Sequence, residues 1–267
     1  MTRSICFDAL GTCFTLKDII SAVEGKYGDE LAKKGFGSKG FVLDWFHSAQ
    51  RDYTYLSLIS PPPPPIASIL KTTFPLTLSS ALSVVIPSDS KKIEGITSLL
   101  NSLPAAPTLK ETFEFLSSTS KLAIITNGSK STTEKYASIA GIDKYVEKVI
   151  SCDDVGLSKP HKEVYQTANQ LCEEFEYQDQ DQDQQSIDKN HNNNNHERWF
   201  VAAHLWDLVA AKKAGFKTGL VLSDLPDELV DQDEKDENLK KWYEVYGGRP
   251  DIVGKTLLEV AKAIVKN

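Results

Sequence analysis

The chain has 267 residues, of which 40% are hydrophobic, and its 30 basic and 37 acidic residues give a formal net charge of −7. This length supports one large or two modest globular domains with a substantial core. The basic residues form no stripe and no patch interleaved with aromatic residues, which argues against a nucleic-acid partner. We see no signal segment and no apolar run of membrane length, so we expect no membrane partner and a cytoplasmic location.

Acidic residues concentrate in two segments, 173–197 and 224–237. The rest of the chain carries a net positive charge, which suits a small anionic substrate. The four cysteines have neither zinc-finger nor CxxC spacing, so we predict free thiols in a reducing compartment. The oligomeric state stays open, with a homodimer as one option.

Three apolar segments, far apart in the chain, each run into a short polar stretch. They are 4–7 before Asp8, 122–125 before Thr126 and Asn127, and 199–203 before His204 and Asp207. Apolar runs without alternation are typical of strands buried on both faces of a parallel sheet. Ligands of such sheets bind outside the carboxyl ends of the strands, so we predict a site where these three ends meet.

Residues 16–104, between the first two strands, have apolar residues at helical spacing and predict a helical insertion. The five prolines at 61–65 cannot form a helix interior, and we interpret them as a stiff connector between helices. Residues 1–15 and 105–267 then form the core. There strands and helices alternate, which favours an α/β, Rossmann-like, doubly wound parallel sheet.

Three smaller expectations concern loops and helix ends. Residues 177–197 are polar and of low complexity, and we predict disorder there. The acidic stretch 224–238 is interpreted as a surface loop. Thr108 is a candidate N-cap for a helix over 109–117.

The residue types at the strand ends suit nucleophilic catalysis. A carboxylate at Asp8 can attack an electrophilic centre, with Thr12 hydrogen-bonded to it or to the ligand. Lys159 precedes a proline, which places it in a loop, and its ammonium can pair with Asp8 and neutralise developing charge. Thr126 and Asn127 can donate hydrogen bonds to an anion, and Asp207 can orient or activate a water molecule.

These motifs together resemble the haloacid dehalogenase-like hydrolase superfamily, and more narrowly its type II 2-haloacid dehalogenases. The matching segments are FDALGT, ITNGS, SKPHKEVY with Tyr165, FVAAHLWDLVAAKKAGFKTGLV and GGRPDIVGKTLLEVA. The resemblance implies a Rossmann-like core with a helical cap inserted after the first motif. It also implies a hydrolase that forms an aspartyl ester on a small 2-substituted carboxylic acid, such as a 2-halo acid.

Two departures separate the chain from the magnesium phosphatases of that superfamily. Their second aspartate, two residues after the nucleophile, falls on Leu10, and an aspartate four residues before the last one falls on Ala203. A hard cation would find too few oxygen ligands, so we predict no metal and no cofactor. Two alternatives stay open: a phosphatase, and a member that binds a small acid or a partner without turnover.

Three further departures concern the dehalogenase group. Its cap arginine falls on His47, with Arg51 one turn along, and its serine and asparagine of the fourth motif fall on Ala202 and His204. The resemblance implies a set of substrate-binding residues. They are Leu10, Thr126, Asn127, His47, Tyr165 and His204.

Overall fold

The structure is a computed structural model that describes residues 3–183, 196–231, 233 and 235–267. At its centre lies one parallel sheet of six strands in the order β3-β2-β1-β4-β5-β6. The strands are β1 Arg3–Asp8, β2 Ser120–Thr126, β3 Val146–Ser151, β4 Glu197–Ala202, β5 Lys217–Val221 and β6 Ile252–Gly254. The α/β, doubly wound parallel sheet predicted from the sequence is confirmed.

Twelve α-helices surround or extend this sheet within the described residues. They are α1 Lys17–Lys33, α2 Ser38–Ile59, α3 Ile66–Leu82, α4 Lys91–Thr97, α5 Leu109–Ser117, α6 Lys130–Ile139, α7 Cys152–Val155, α8 Lys162–Asp183, α9 Leu205–Lys213, α10 Asp227–Val230, α11 Glu237–Val245 and α12 Leu257–Lys266. None of the helices that the structure describes is long and apolar enough to cross a membrane.

The central strand contributes to a core on each face of the sheet. Ile5 and Phe7 pack into one apolar cluster, which also includes residues of α5 and α12. Cys6 points to the other face and packs with residues of α8 and α9. Alternate side chains of a strand point to opposite faces, so a continuous apolar run can fill two cores at once. All four cysteines are free and buried, as predicted.

Helices α1 to α4 and the 3₁₀ turn Ser98–Asn101 are inserted between β1 and β2. The two crossings between insertion and core lie side by side: Thr15 N donates to Pro104 O and Ala106 N donates to Cys13 O. The boundaries of the cap, at residues 16 and 104, stay a prediction. The prolines at 61–65 join the end of α2 to the start of α3, as a connector would.

The structure corrects three local expectations. Residues 177–183 belong to α8 and Glu197 begins β4, so the predicted disorder is wrong at both ends of the segment, and 184–195 lie outside the described residues. The acidic stretch 224–238 includes α10 and the start of α11, because its apolar residues pack on the core. Thr108 is the N-cap residue of α5 as predicted, but with a φ of 63° it makes no side-chain cap; its hydroxyl instead accepts from Leu258 N at 3.4 Å.

Candidate active site

The carboxyl ends of three neighbouring strands bring the predicted residues together. Strand β1 pairs with β2 on one side and with β4 on the other, and all three are parallel. Asp8 is the last residue of β1, Asn127 follows β2, and Asp207 lies in the first turn of α9 after β4. Strands β2 and β3 are added on one side of β1, and β4, β5 and β6 on the other side. The point between β1 and β4 at which the strand order reverses is the switch point at which such folds bind ligands.

Lys159 joins two of these ends through its buried ammonium group. Its Nζ lies 2.5 Å from Oδ1 of Asp8 and 2.7 Å from Oδ2 of Asp207. The main chain is held as well, because Lys159 N donates to Oδ1 of Asn127 at 2.9 Å. Burial alone would lower the pKa of Lys159, but the Asp207 and Asp8 carboxylates raise it above its ordinary value. The lysine is therefore a permanent cation between two carboxylates.

Asp8 is held from its other side by the turn that follows β1. The Thr12 hydroxyl donates to Oδ2 of Asp8 at 2.7 Å and accepts from Ala203 N at 2.9 Å. Gly11 makes this turn with a φ of 89°, and a Cβ there would lie 2.9 Å from Cε1 of His204. Glycine suits this position for two reasons. It adopts the left-handed backbone conformation without strain, and it has no Cβ that would collide with the ring of His204.

Asp207 has both carboxylate oxygens engaged and is fully buried. Oδ2 accepts from Lys159, and Oδ1 accepts from the hydroxyl of Tyr165. Burial raises the pKa of Asp207 to about 6, although Lys159 and Tyr165 both act to lower it. Burial and the neighbouring Asp207 carboxylate raise the pKa of Tyr165, so its phenol stays protonated and donates. Asp8, Thr12, Lys159, Tyr165 and Asp207 are called the strand-end cluster below.

A cavity of about 470 Å³ opens between α2 and the strand ends. Asn127, Ala203 and His204 line it from the core, and the Asp8 side chain, 7% exposed, lies directly behind His204. Nδ1 of His204 is 4.0 Å from Oδ2 of Asp8. That nitrogen is buried, and no described residue makes a hydrogen bond to it.

Two histidines meet in this cavity. The ring of His47, from α2, stands edge-on to the ring of His204 with centroids 5.9 Å apart. Burial and the neighbouring His204 lower the pKa of His47. Burial also lowers the pKa of His204, with Asp8 opposing that shift and Lys159 reinforcing it. Both imidazoles are therefore neutral at pH 7.

The remaining predicted contacts are placed differently. Leu10 and Thr126 are buried and are not among the described residues that line the cavity. The Thr126 hydroxyl accepts from Gly128 N at 2.9 Å and so stabilises the turn after β2. Tyr165 is also buried and acts on Asp207 rather than on the cavity. Of the six predicted substrate contacts, Asn127, His47 and His204 line the cavity.

Sequence reasoning missed several lining residues. Gln50, Tyr55, Trp242 and Tyr246 all face the cavity. Gln50 follows His47 by three residues on α2, so helical spacing was a usable signal for it. Trp242 and Tyr246 follow the stretch 224–238 that we interpreted as a surface loop, and no local pattern connects them to the strand ends.

The residues present do not fit a magnesium ion. Leu10 and Ala203 offer no side-chain oxygen, and the Lys159 ammonium already lies between the two carboxylates. No group of three or more His, Cys, Asp or Glu side chains suited to a metal ion occurs in the part of the chain that the structure describes. A hard cation needs about six oxygen ligands.

A doubly wound parallel sheet with a helical insertion after β1, and with a lysine between two carboxylates at the strand ends, is the arrangement of a Rossmann-like enzyme whose site lies at the carboxyl ends of its strands. The model of the haloacid dehalogenase-like hydrolase family matches residues 5–215. The chain belongs to that family, and it is a hydrolase.

Relatives and solved structures agree with this assignment. The chain is 27% identical over 218 residues to the (S)-2-haloacid dehalogenase 4A of Burkholderia cepacia, covering 81% of each. Its fold is similar to the L-2-haloacid dehalogenase of Xanthobacter autotrophicus, with a TM-score of 0.70, 20% identity and 99% of each chain covered. A further dehalogenase structure matches with a TM-score of 0.71 and 20% identity, covering 100% of this chain and 98% of the other.

Proposed function

We propose that the protein hydrolyses 2-halo carboxylic acids without a metal ion, through an ester formed on Asp8. The observation that carries this proposal is the position of Asp8. Its carboxylate is oriented by Lys159 and Thr12 and lies 4.0 Å from Nδ1 of His204, which lines the same cavity as Arg51. The family membership and the dehalogenase relatives support the same reaction class.

In the first step, Oδ2 of Asp8 attacks carbon 2 of the substrate. A carbon–oxygen bond forms, the carbon–halogen bond breaks, and the halide leaves with its electron pair. Thr12 and Lys159 fix the carboxylate plane before the substrate arrives, which lowers the entropic cost of reaching the attack geometry. Oδ1 becomes the carbonyl oxygen of the ester and stays against the Lys159 ammonium.

In the second step, water attacks Cγ of Asp8. Oδ1 then carries the negative charge of the tetrahedral intermediate, and Lys159 stabilises that charge. The intermediate collapses to regenerate Asp8, and the alkoxide of the 2-hydroxy acid takes up a proton. Asp207 is poorly suited to accept the proton of the water, because both of its oxygens are engaged and it is fully buried.

We assign the role of general base to His204. Its Nδ1 lies 4.0 Å from Oδ2 of Asp8, has no hydrogen-bond partner among the described residues, and is neutral because its pKa is lowered by burial. A neutral imidazole nitrogen within reach of one water is the usual geometry of such a base. The protonated ring can then return the proton to the departing alkoxide.

Arg51 is the group that we assign to the substrate carboxylate. It lies one helical turn after His47 on α2, lines the cavity, and its side chain is 57% exposed. Its nearest carboxylate is Asp52 at 3.7 Å, a long ion pair that leaves the guanidinium available for a second acid. Arginine binds carboxylates through two parallel hydrogen bonds.

The test is a single turnover of 2-chloropropionate in ¹⁸O-labelled water, followed by mass analysis of the peptide that contains Asp8. The proposal expects one ¹⁸O atom in Asp8 after hydrolysis of the ester. Label found only in the product would mean direct attack by water. A parallel assay of 2-chloropropionate and phosphate esters, with magnesium or with excess chelator, separates this reaction from a phosphatase. Magnesium-dependent phosphate release that exceeds halide release would overturn the proposal.

A further inference from the structure

The cavity is larger than a three-carbon acid requires. Its volume of about 470 Å³ lies in the range of roughly 300–1,000 Å³ that proteins use for drug-sized ligands. The acid bound covalently in one similar dehalogenase structure is chloropropionic acid, which has only a methyl group beyond its reacting carbon. A substrate of that size would leave most of this cavity unfilled.

The two sides of the cavity differ in chemistry. The α2 side presents His47, Gln50, Arg51 and Thr54, which share one helical face at spacings of three and four residues. This side also includes the ring of Tyr55, but it is mainly polar and carries the permanent charge of Arg51. An acid group is therefore expected to bind on the α2 side.

The opposite side presents three large rings, which are called the aromatic wall below: Trp206, Trp242 and Tyr246. Trp206 stacks on His204 with centroids 5.7 Å apart and an angle of 30° between the rings. Trp242 and Tyr246 meet edge to face at 6.3 Å and 78°. All three side chains are half-buried, so each packs on the protein and still presents apolar surface to the cavity.

The segment that carries two of these rings is firmly positioned. Leu239 and Tyr243 of α11 are buried in the same apolar cluster as Cys6, on one face of the sheet. Asp236 caps the helix by accepting from Asn238 N and Leu239 N, both at 2.9 Å. The Lys39–Asp224 ion pair, at 2.8 Å, connects α2 to the loop that leads toward α11. The wall is therefore placed by packing and capping, independently of any ligand.

We propose that the substrates are 2-halo acids with an aromatic or similarly large apolar side chain, which lies against the aromatic wall while Arg51 holds the carboxylate. This inference rests on the proposed function for the placement of the acid group. Aromatic rings favour stacked or edge-to-face neighbours, and three rings on one side offer both geometries. A small acid would gain nothing from them.

The test separates binding from turnover. Binding of two unreactive acids, propanoate and 3-phenylpropanoate, is measured by calorimetry on the intact chain. We expect 3-phenylpropanoate to bind at least tenfold more tightly. Trp242→Ala should remove most of that preference and leave propanoate binding unchanged. Equal binding of the two acids to the wild-type chain would overturn the proposal.

Two further variants keep the test interpretable. Val245→Ala lies on the same helix, is 82% exposed and is not a lining residue, so it should keep the full preference. Trp242→Leu keeps apolar packing and should lose the preference even if Trp242→Ala unfolds. Loss of the preference in Val245→Ala as well would mean a general effect on α11 and would overturn the assignment to the ring.

Turnover then distinguishes this proposal from the proposed function. Halide release is compared for 2-chloropropionate and 2-chloro-3-phenylpropanoate. Hydrolysis of both at equal kcat/KM would overturn the substrate class and leave the proposed function standing. Tight binding of 3-phenylpropanoate without release of halide from either acid would support the aromatic wall as a binding site and overturn the proposed function.

Discussion

The strand-end cluster and the aromatic wall differ in how their side chains are held. In the cluster, Asp8 is bonded to Lys159 and Thr12, and Asp207 to Lys159 and Tyr165, all of them buried. The wall is held by ring contacts and by the packing and capping of α11, without hydrogen bonds between its rings, and its side chains are half-buried. A network of charges in a low-dielectric interior has one satisfied arrangement, whereas a packed apolar surface accepts many shapes.

This difference separates chemistry from selectivity. Changes in the cluster should affect the reaction, and some should affect folding, because each member supports the others. Changes at Trp242 and Tyr246 should alter which acid is accepted while leaving the reaction intact; Trp206 is different, because it stacks on His204. Substitutions in the cluster are therefore expected to have larger effects than substitutions of residues that line the cavity.

The largest effect is expected for Asp8→Asn. The amide keeps the shape of the carboxylate but is a poor nucleophile, so halide release should fall by at least about 10³-fold. The thermal unfolding curve should stay cooperative, because Lys159 keeps Asp207 as a partner. Asp29→Asn, an exposed position on α1, is the matched control and should keep wild-type rates. Residual turnover above about a tenth of wild type would contradict the role of Asp8.

Lys159→Met should damage both stability and activity. It leaves two buried carboxylates without their shared cation, which costs about 3–5 kcal/mol in comparable cases. The free energy of unfolding, measured in urea, should fall by that order. In the double variant Lys159→Met/Asp207→Asn one buried charge is gone, so part of the stability should return while activity stays lost. A Lys159→Met chain as stable as wild type would mean that the two carboxylates do not share this cation.

Most of the strand-end site was predictable from the sequence, because its residues follow an apolar strand or lie in a distinctive turn. Asp8, Asn127, Lys159 and Asp207 come together for topological reasons, since parallel strands end at one edge. What the sequence does not contain is the direction of each side chain. Tyr165 was expected to contact substrate, but its position on α8 points the hydroxyl at Asp207 instead.

The wall was not predictable for a different reason. Trp242 and Tyr246 reach the cavity only because α11 packs Leu239 and Tyr243 onto the core. That is a contact between distant segments, and the surrounding acidic residues hide it from local pattern analysis. The end of α8 was also missed by local pattern analysis. Residues 177–183 continue this helix, although their polar composition alone does not predict one.

Tyr165→Phe should change the pH dependence more than the maximal rate. The pKa of Asp207 is raised by burial to about 6, and the Tyr165 hydrogen bond acts to lower it. Removing that bond raises the pKa of Asp207 further. On acidification, the variant therefore protonates Asp207 at a higher pH than the wild type does. The acidic limb of kcat/KM should therefore move to higher pH, while the rate near pH 8 stays close to wild type. A limb that stays in place would show that ionised Asp207 is not required. Tyr145→Phe, at an exposed phenol bonded to Glu114, is the control.

The smallest effect is expected for His47→Arg, at the outer side of the cavity. The pKa of His47 is lowered by burial and by His204, although Asp44 and Asp224 oppose the shift, so the ring is neutral at pH 7. An arginine there adds a permanent charge one turn before Arg51, and exposed pairs of this kind contribute about 0.2–1 kcal/mol. The KM for 2-chloropropionate should fall by about two- to fivefold with kcat nearly unchanged.

The wild-type chain offers an internal comparison for that last variant. Protonation of His47 supplies a similar charge only as pH falls below the ordinary histidine value of about 6.5, so wild-type KM should improve in that range. His47→Arg should remove this improvement, because its charge is already present at pH 7. His47→Gln, which never carries a charge, should show neither the lower KM nor the pH dependence. If His47→Gln and His47→Arg gave the same KM, the substrate carboxylate would lie out of reach of residue 47, and Arg51 alone would hold it on α2.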